Sequence, residues 1–277
     1  MNKKVLLIGG AGFIGSRFSQ LSNYDCESVD KLTGCNINIT TPRLKLPRTN
    51  YSSVIFLAAE PNLRAVQENP ERAYKTMTQG LHNSIERYQG SHFIFVSSSM
   101  VYGNWTKELM SEKDACYPTN IYGQLKLLGE GIVKQFHSNW TIVRPSAVYG
   151  PFDKPNRVVN LFIDKINRSE QITLQGSDNL FDFTYVDDIV QGLERVVDIK
   201  PKCETYNITR GSAHTLQNMT DLLYTKLGVE PNYIAEPKPI NYPSRGALDI
   251  TKVSEELEYF PTFDLSRGLD DTISKLK

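Results

Sequence analysis

The feature that most limits what this chain can become stands near its start. There the apolar run 5–8 breaks into Gly9-Gly10-Ala11-Gly12-Phe13-Ile14-Gly15. The spacing G-x-x-G-x-x-G follows a predicted strand and opens a predicted helix over Phe13–Leu21. A Cβ at Gly9 or Gly12 would obstruct the turn or a ligand, and Gly15 would let the helix pack tightly on a sheet. Such a junction lets the backbone approach a pyrophosphate, whose charge the helix N-terminus favours. Three glycines alone also serve loops and tight turns. Asp30 adds context, because it closes a predicted second strand over 27–30, where an acid hydrogen-bonds the adenosine ribose hydroxyls. An acid there repels a 2′-phosphate, so the expected cofactor is NAD rather than NADP. Alone, Asp30 before Lys31 also reads as a solvated turn residue.

The same alternation continues to about residue 145. Residues 54–59 and 92–97 are apolar runs of the buried, parallel-strand kind. Residues 70 to about 88 read as a long helix, with Asn69 as its cap and Pro70 in its first turn. Residues 122–136 fit another helix and 141–144 another strand. This predicts an α/β fold, a doubly wound parallel sheet with helices on both faces. After Pro145 prolines multiply, Pro151, Pro155 and Pro243 among them, and the elements shorten. That suits a small, mixed C-terminal lobe closely joined to the first. Residues 186–197 look like one more helix, with Asp187 and Asp188 near its positive end.

Composition bounds the class of partner. The chain has 277 residues, 40% hydrophobic and 22% charged, with Lys plus Arg equal to Asp plus Glu at 31 each. A zero balance gives no global attraction to nucleic acid or acidic membranes. No stretch approaches membrane-spanning length. The apolar run at the start is short and meets Arg17 without a small-residue cleavage site, so the cytoplasm is the expected location. Cys26, Cys35, Cys116 and Cys203 form no C-x-x-C pair and no zinc spacing, and they read as ordinary thiols. No metal is expected.

Tyr122 and Lys126 stand four apart on a predicted helix and so share a face. A tyrosine, of pKa about 10, is a poor base at neutral pH. An ammonium one turn away stabilises its phenolate, and a tuned tyrosine can exchange a hydroxyl proton while hydride moves to or from nicotinamide. The pair alone also fits an ordinary amphipathic helix. Upstream, Phe95-Val96-Ser97-Ser98-Ser99-Met100-Val101-Tyr102-Gly103 is a strand running out into hydroxyl residues, at the end where parallel sheets bind ligands.

Together, Gly9/Gly12/Gly15, Asp30, Ser-Ser-x-x-Val-Tyr-Gly ending at Gly103, Tyr122/Lys126 and Arg144-Pro-Ser-Ala-Val-Tyr-Gly-Pro151 stand in a recognisable order and spacing. Asp182-Phe-Thr-Tyr-Val-Asp-Asp188, Tyr206-Asn-Ile and Asp249-Ile-Thr-Lys252 extend the pattern. The chain resembles the extended short-chain dehydrogenase/reductase family, the NAD-dependent nucleotide-sugar epimerase and dehydratase group, over nearly its whole length. The resemblance implies a Rossmann-type NAD-binding domain over 1–150, with a later contribution from about 181–211, and a substrate-binding lobe over 151–277. It implies Ser98, Tyr122 and Lys126 as catalytic residues, with Ser99 as the fallback hydroxyl. Gly9, Gly12, Phe13, Ile14, Gly15, Asp30, Lys31, Leu57, Ala58, Ala59 and Pro145 would join Tyr122 and Lys126 around the cofactor. Ser98, Ser99, Tyr122, Ala147 and Arg245 would meet a nucleotide-sugar substrate. A homodimer built on helices 70–88 and 122–136 is implied as well.

Within that group, dehydratases carry Asp-Glu after the catalytic hydroxyl and decarboxylases a Glu two before the Tyr of Val-Tyr. Here those places hold Ser99 and Met100, which exchange no proton near neutral pH. Epimerisation through transient oxidation, usually at C4, is the leading expectation. A sugar or keto-sugar dehydrogenase or reductase is the second, and a non-catalytic dinucleotide-binding regulator the third. Four positions depart from the pattern. Ala147 replaces a diphosphate-contacting Asn and Phe181 a diphosphate-contacting Arg, while Met77 replaces an Asn and Phe56 a His. A buried diphosphate without donors costs several kcal/mol, which keeps the second reading open. Lys154, Arg157 and Arg210 are further candidates for the phosphates.

Overall fold

A computed structural model describes residues 3–30, 40, 50–60, 63–154, 156–239 and 242–276. Lys31, Cys35 and Pro155 lie outside the described residues. The sequence expectation of a parallel α/β sheet holds. Strand β1 (Lys4–Ile8), β2 (Asp25–Val29), β3 (Ser53–Phe56) and β4 (His92–Val96) join Trp140–Arg144 and Glu204–Asn207 in one six-stranded parallel sheet. Its order is Glu204–Asn207, Trp140–Arg144, β4, β3, β1, β2. From β1 the chain steps outward to β2, then returns to the other side of β1 as β3. The sheet direction therefore switches between β1 and β3, and a crevice opens beyond their carboxyl ends.

The strands carry consecutive apolar residues because both faces of the sheet are covered. Val5, Leu7, Ile55, Ile94, Val96 and Val143 face one side, where Ile189, Leu193 and Val196 of the helix Val186–Ile199 cover them. Leu6, Ile8, Val54, Phe56, Phe93, Phe95 and Ile142 face the other, against Leu81, Ile85 and Val133. Phe56, where the family pattern has a His, is fully buried there. This is the Rossmann-type arrangement. β2 begins two residues earlier than the sequence suggested and ends at Val29, leaving Asp30 just beyond it.

The helix expected from residue 70 to about 88 starts as predicted, with Asn69 Oδ1 accepting from the Arg72 N–H at 3.1 Å and Pro70 in the first turn. It is not uniform. Pro70–Tyr74 and Gly80–Arg87 are α-helical, but Lys75–Gln79 is a wider π turn. Met77 lies on that turn, buried with Val66, Ala73 and Leu125 beside Ala59 and Tyr122. π turns recur at functional sites, and no apolar periodicity marks one in a sequence.

A second core forms from residues after 145. Tyr149, Phe162, Ile163, Ile172, Leu174, Phe183, Met219, Leu223 and Leu269 pack among the helices Val158–Asn167, Leu216–Leu227 and Leu265–Leu276. A parallel strand pair, Ile172–Gln175 with Tyr233–Glu236, completes this mixed lobe. Asp182 knots its connections, accepting from Thr209 Oγ1, the Leu248 N–H and the Gly211 N–H at 2.9, 3.1 and 3.2 Å. Burial nonetheless pushes its carboxyl up to about 6. Asp187 and Asp188 do stand in the first turn of their helix, but their side chains are engaged elsewhere. Asp187 pairs with Arg17 at 2.6 Å, and Asp188 accepts from the Thr262 and Phe263 N–H groups at 2.8 and 3.1 Å. Among the described residues no helix is long and apolar enough to cross a membrane, and Cys26, Cys116 and Cys203 are free thiols.

His92 opens β4 fully buried, with Nε2 2.8 Å from Thr141 Oγ1, and burial lowers its pKa to about 4. A histidine depressed in the fold stabilises the protein above the unfolded pKa of about 6.5, and that contribution is lost as pH falls towards 4. In urea titrations, the stability advantage of wild type over His92→Gln should shrink by about 1.4 kcal/mol per pH unit across that window. A difference independent of pH would refute the assignment.

Candidate active site

The glycine loop lies at the sheet's switch point. Gly9 adopts φ +88°, and a Cβ there would stand 2.7 Å from the Ala58 backbone nitrogen. Only glycine lets the chain leaving β1 pass so close to Leu57–Ala58–Ala59, the segment leaving β3. Gly15 is similarly confined, because its Cβ would meet Gly10 Cα at 2.7 Å. Gly12 differs. It is exposed, and a Cβ would meet only the Gly9 carbonyl, at 3.2 Å. Gly12 caps the helix α1 (Phe13–Leu21) without a side chain, and no acid stands in the first turn. The amides of Phe13, Ile14 and Gly15 therefore open on a cradle that a side chain would fill, which fits a pyrophosphate. Asp30 borders it, its Oδ2 accepting from the Ala11 N–H at 3.2 Å.

The hydroxyl segment lies across the crevice. Ser97 N–H donates to the Val143 carbonyl at 2.7 Å and Ser99 N–H to the Pro145 carbonyl at 2.8 Å, so β4 keeps pace with its neighbour past Val96. Ser98 Oγ then accepts from the Met100 N–H at 3.2 Å, capping a short 3-10 turn over Ser99–Val101. The helix Ile121–Phe136 packs on this turn. Asn120 Oδ1 caps it by accepting from the Gly123 N–H at 2.9 Å. Gly123 permits the approach, since a Cβ would sit 2.5 Å from the Met100 carbonyl oxygen. That closeness brings the Tyr122 phenol to Ser98. Burial pushes the phenol up, while the charge of Arg157 and a hydrogen bond from Ser98 pull it down.

Lys126 is 3% exposed. Its Nζ donates to the Val96 carbonyl at 2.7 Å and lies 5.8 Å from the centre of the Tyr122 ring. Burial lowers it to about 7, against the raising effect of Glu130. Lys126 thus stands beside the Tyr122 ring, on the same helix face, as the sequence expectation requires. The groups that lower the phenol are Arg157 and Ser98. Sequence reasoning missed Glu130, whose position four beyond Lys126 was the available signal.

The substrate-side candidates gather next to this cluster. Ser99 Oγ lies 3.3 Å from Ser146 Oγ, both buried. Ala147 is half-buried, its carbonyl accepting from the Thr184 N–H at 3.1 Å. The Arg245 guanidinium contacts the Met100 sulfur and lies 5.1 Å from the centre of the Phe181 ring. Among the described residues no carboxylate pairs with it and its Nε has no hydrogen-bond partner, and burial lowers it to about 10. Arg157 presses on the same guanidinium and is itself 3.6 Å from Asp153. Arg210 is engaged otherwise, donating to the Pro261 carbonyl at 2.8 Å.

A crevice at the switch point, a glycine cradle and a Ser–Tyr–Lys cluster define a dinucleotide-dependent enzyme of the α/β class. The chain belongs to the NAD-dependent epimerase/dehydratase family, whose sequence model matches residues 5–209. It is 28% identical to a putative UDP-glucose 4-epimerase of Methanocaldococcus jannaschii, covering 99% of this chain and 98% of that one. It is 25% identical to a dTDP-glucose 4,6-dehydratase of Streptomyces griseus, over 99% and 94%. Among solved structures, the UDP-glucuronic acid 4-epimerase of Bacillus cereus, in complex with UDP-glucuronic acid and NAD, aligns with a TM-score of 0.88 at 25% identity, over 99% and 98%. The chain is thus an NAD-dependent epimerase or oxidoreductase of the extended short-chain dehydrogenase/reductase type, with NAD as its cofactor, and the family expectation is borne out.

The two glycines should respond differently to substitution. Gly9→Ala should lower stability by about 1–3 kcal/mol through backbone strain. Gly12→Val should leave the unfolding midpoint close to wild type yet weaken NAD binding, read by calorimetry, by at least about tenfold. Equal NAD affinity in Gly12→Val would place the pyrophosphate elsewhere.

Proposed function

We propose that this chain is a nucleotide-sugar epimerase that inverts a sugar carbon, C4 by analogy with its relatives, through transient oxidation. The observation that carries the reading is the meeting of Ser98, Tyr122 and Lys126 at the carboxyl end of β4, in the sheet whose β1 runs into the glycine cradle. Gly9, Gly12, Phe13, Ile14, Gly15, Asp30, Lys31, Leu57–Ala59, Lys126 and Pro145 are the residues proposed to hold NAD, which when bound supplies reversible hydride acceptance. Tyr122 takes the proton of the sugar hydroxyl as its C–H hydride leaves, and Ser98 holds the same oxygen. After the sugar turns its other face, Tyr122 returns the proton to the ketone oxygen as hydride comes back. The cycle consumes nothing. Ser99 and Met100, where dehydratases carry acids, offer no group to expel water.

The half-buried Arg245, with no carboxylate partner among the described residues, supports a diphosphate on the substrate, because such a cation favours an anion. Phe181 takes the place of a second arginine and stacks under the first. The loss of donors at Phe181 and Ala147 is the one observation that favours the second reading, a sugar or keto-sugar oxidoreductase. Net NADH formation with sugars would identify it, whereas sugar interconversion without net NADH identifies the epimerase. The nearness of Tyr122 and Lys126 weighs against the non-catalytic reading.

We further propose a division into a cofactor domain, 1–150 with about 181–211, and a substrate lobe, 151–277, in a cytoplasmic homodimer. Tyr74, Leu128 and Phe136 are exposed on the two helices proposed to pair.

Tyr122→Phe should cut interconversion of UDP-sugars by at least about 10²-fold while NAD binding persists. Arg245→Met should raise KM much more than it lowers kcat, because the group binds ground and transition states alike. Wild-type turnover by Tyr122→Phe would end the assignment. Sedimentation at micromolar concentration should give a two-chain species, and Leu128→Glu should split it.

A further inference from the structure

Arg245 carries a long, flexible side chain, yet the backbone on either side of it is firmly held. The segment 244–249 lies along the segment 104–110, which follows the Ser98 turn. Ser244 N–H donates to Asn104 Oδ1 at 2.9 Å, and Trp105 N–H donates to the Ser244 carbonyl at 3.0 Å. Gly246 rests on Trp105, where a Cβ would stand 2.9 Å from ring carbon Cε3 and 3.1 Å from the Glu108 carbonyl oxygen. Ala247 and Leu248 then pair in parallel with Leu109 and Met110. From this seat the Arg245 guanidinium reaches the Met100 sulfur at 2.7 Å, two residues beyond Ser98. A thioether is a weak acceptor, so it competes little with an incoming anion.

The other end of the segment is fastened by Asn207, fully buried at the end of the strand Glu204–Asn207. Its Nδ2 donates to the Met110 carbonyl and to the Asp249 carbonyl, both at 3.2 Å. Its Oδ1 accepts from Tyr102 OH at 2.7 Å. One amide therefore joins three pieces: the residue closing the Ser98 turn, the strand Leu109–Met110 and the end of the Arg245 segment. Both Nδ2 hydrogens are spent, so the joint has little freedom. Asn104 and Asn207 are neutral, and they grip backbone groups without adding a carboxylate that would compete for the guanidinium.

We propose that Asn104 and Asn207 are positioning residues that pin the Arg245 segment at its two ends and so hold the guanidinium ready for a phosphate of the substrate's diphosphate. The proposal rests on the reading of Arg245 as the diphosphate ligand. A guanidinium recognises a phosphate through directed, paired hydrogen bonds, so its affinity depends on where its backbone is fixed. A seat that is set before binding lowers the ordering cost of the complex. Because the same segment, 98–110, carries both the Ser98 hydroxyl and this seat, the two asparagines also fix the arginine relative to the reacting oxygen.

The test measures UDP binding to the NAD-loaded full chain by calorimetry, which needs neither sugar nor turnover. Asn104→Ala and Asn207→Asp should each weaken UDP by about fivefold, the scale of one lost hydrogen bond. Asn104 is exposed, so its variant keeps the test readable if Asn207→Asp folds poorly. Each change is repeated in an Arg245→Met background. There it should cost less than about twofold, because its effect passes through the guanidinium, whereas a merely structural role would cost the same in both backgrounds. With a nucleotide sugar, the loss should fall on KM more than on kcat. Wild-type UDP affinity in both single variants, or equal losses with and without Arg245, overturns the proposal and leaves the diphosphate reading standing. Wild-type UDP affinity in Arg245→Met itself removes the diphosphate reading, and this proposal with it.

Discussion

Arg144 ends a central strand of the sheet with a guanidinium cut off from water, and the Glu130 carboxylate that meets it is buried as deeply. Removing one member of such a pair costs about 3–5 kcal/mol, because the other is left charged and dry. The constraint is geometric as well as energetic. A bidentate contact fixes both the distance and the rotation of the helix Ile121–Phe136 against the strand Trp140–Arg144. The proposed catalytic groups all depend on that seating. Tyr122 and Lys126 are carried on the helix, while Ser98 is carried on the strand end that Ser97 ties to the same carboxylate.

Glycines then decide how near the two bodies come. Gly123 lets the helix touch the Ser98–Met100 turn, and Gly129 lets it lie against the Phe95 ring, where a Cβ would be 2.7 Å from the ring carbon. On the far side of the crevice Gly9 brings the end of β1 against the segment leaving β3. Ala59, on the segment leaving β3, and the π-turn residue Met77 pack in one cluster with Tyr122. Dispersion contacts at this density leave little slack, so the site's precision is a property of the packing.

The second lobe adds arginine charge beside the Ser98 and Tyr122 hydroxyls and Met100. Among the described residues no carboxylate meets the half-buried Arg245, and the charge of Arg157 acts on it, an arrangement that is costly unless an anion completes it. Phe181 accommodates it through its ring face, which tolerates a guanidinium but cannot replace a second donor. Asp182, immediately following, spends its carboxylate on the backbone of the loops at Gly211 and Leu248, and so holds the strand from which Phe181 projects.

The sequence alone determined the chemistry of the local junctions. Gly9, Gly12 and Gly15 at fixed spacing after an apolar run admit few backbone solutions, and Asn69-Pro70 signals a helix start wherever it falls. The consecutive apolar residues of the strands required a sheet covered on both sides. Such features lie within a few residues of one another, so chain geometry makes them legible. Only the tertiary structure decided that Lys126 is buried against the Val96 carbonyl, that the charge of Arg157 acts on the phenol, that Asp187 and Asp188 serve Arg17 and the 262–263 backbone, and that a π turn interrupts the helix at Met77. Each of these depends on burial or on charges brought together from distant parts of the chain. Desolvation and Coulomb energies are set by the three-dimensional surroundings, which residue order does not contain.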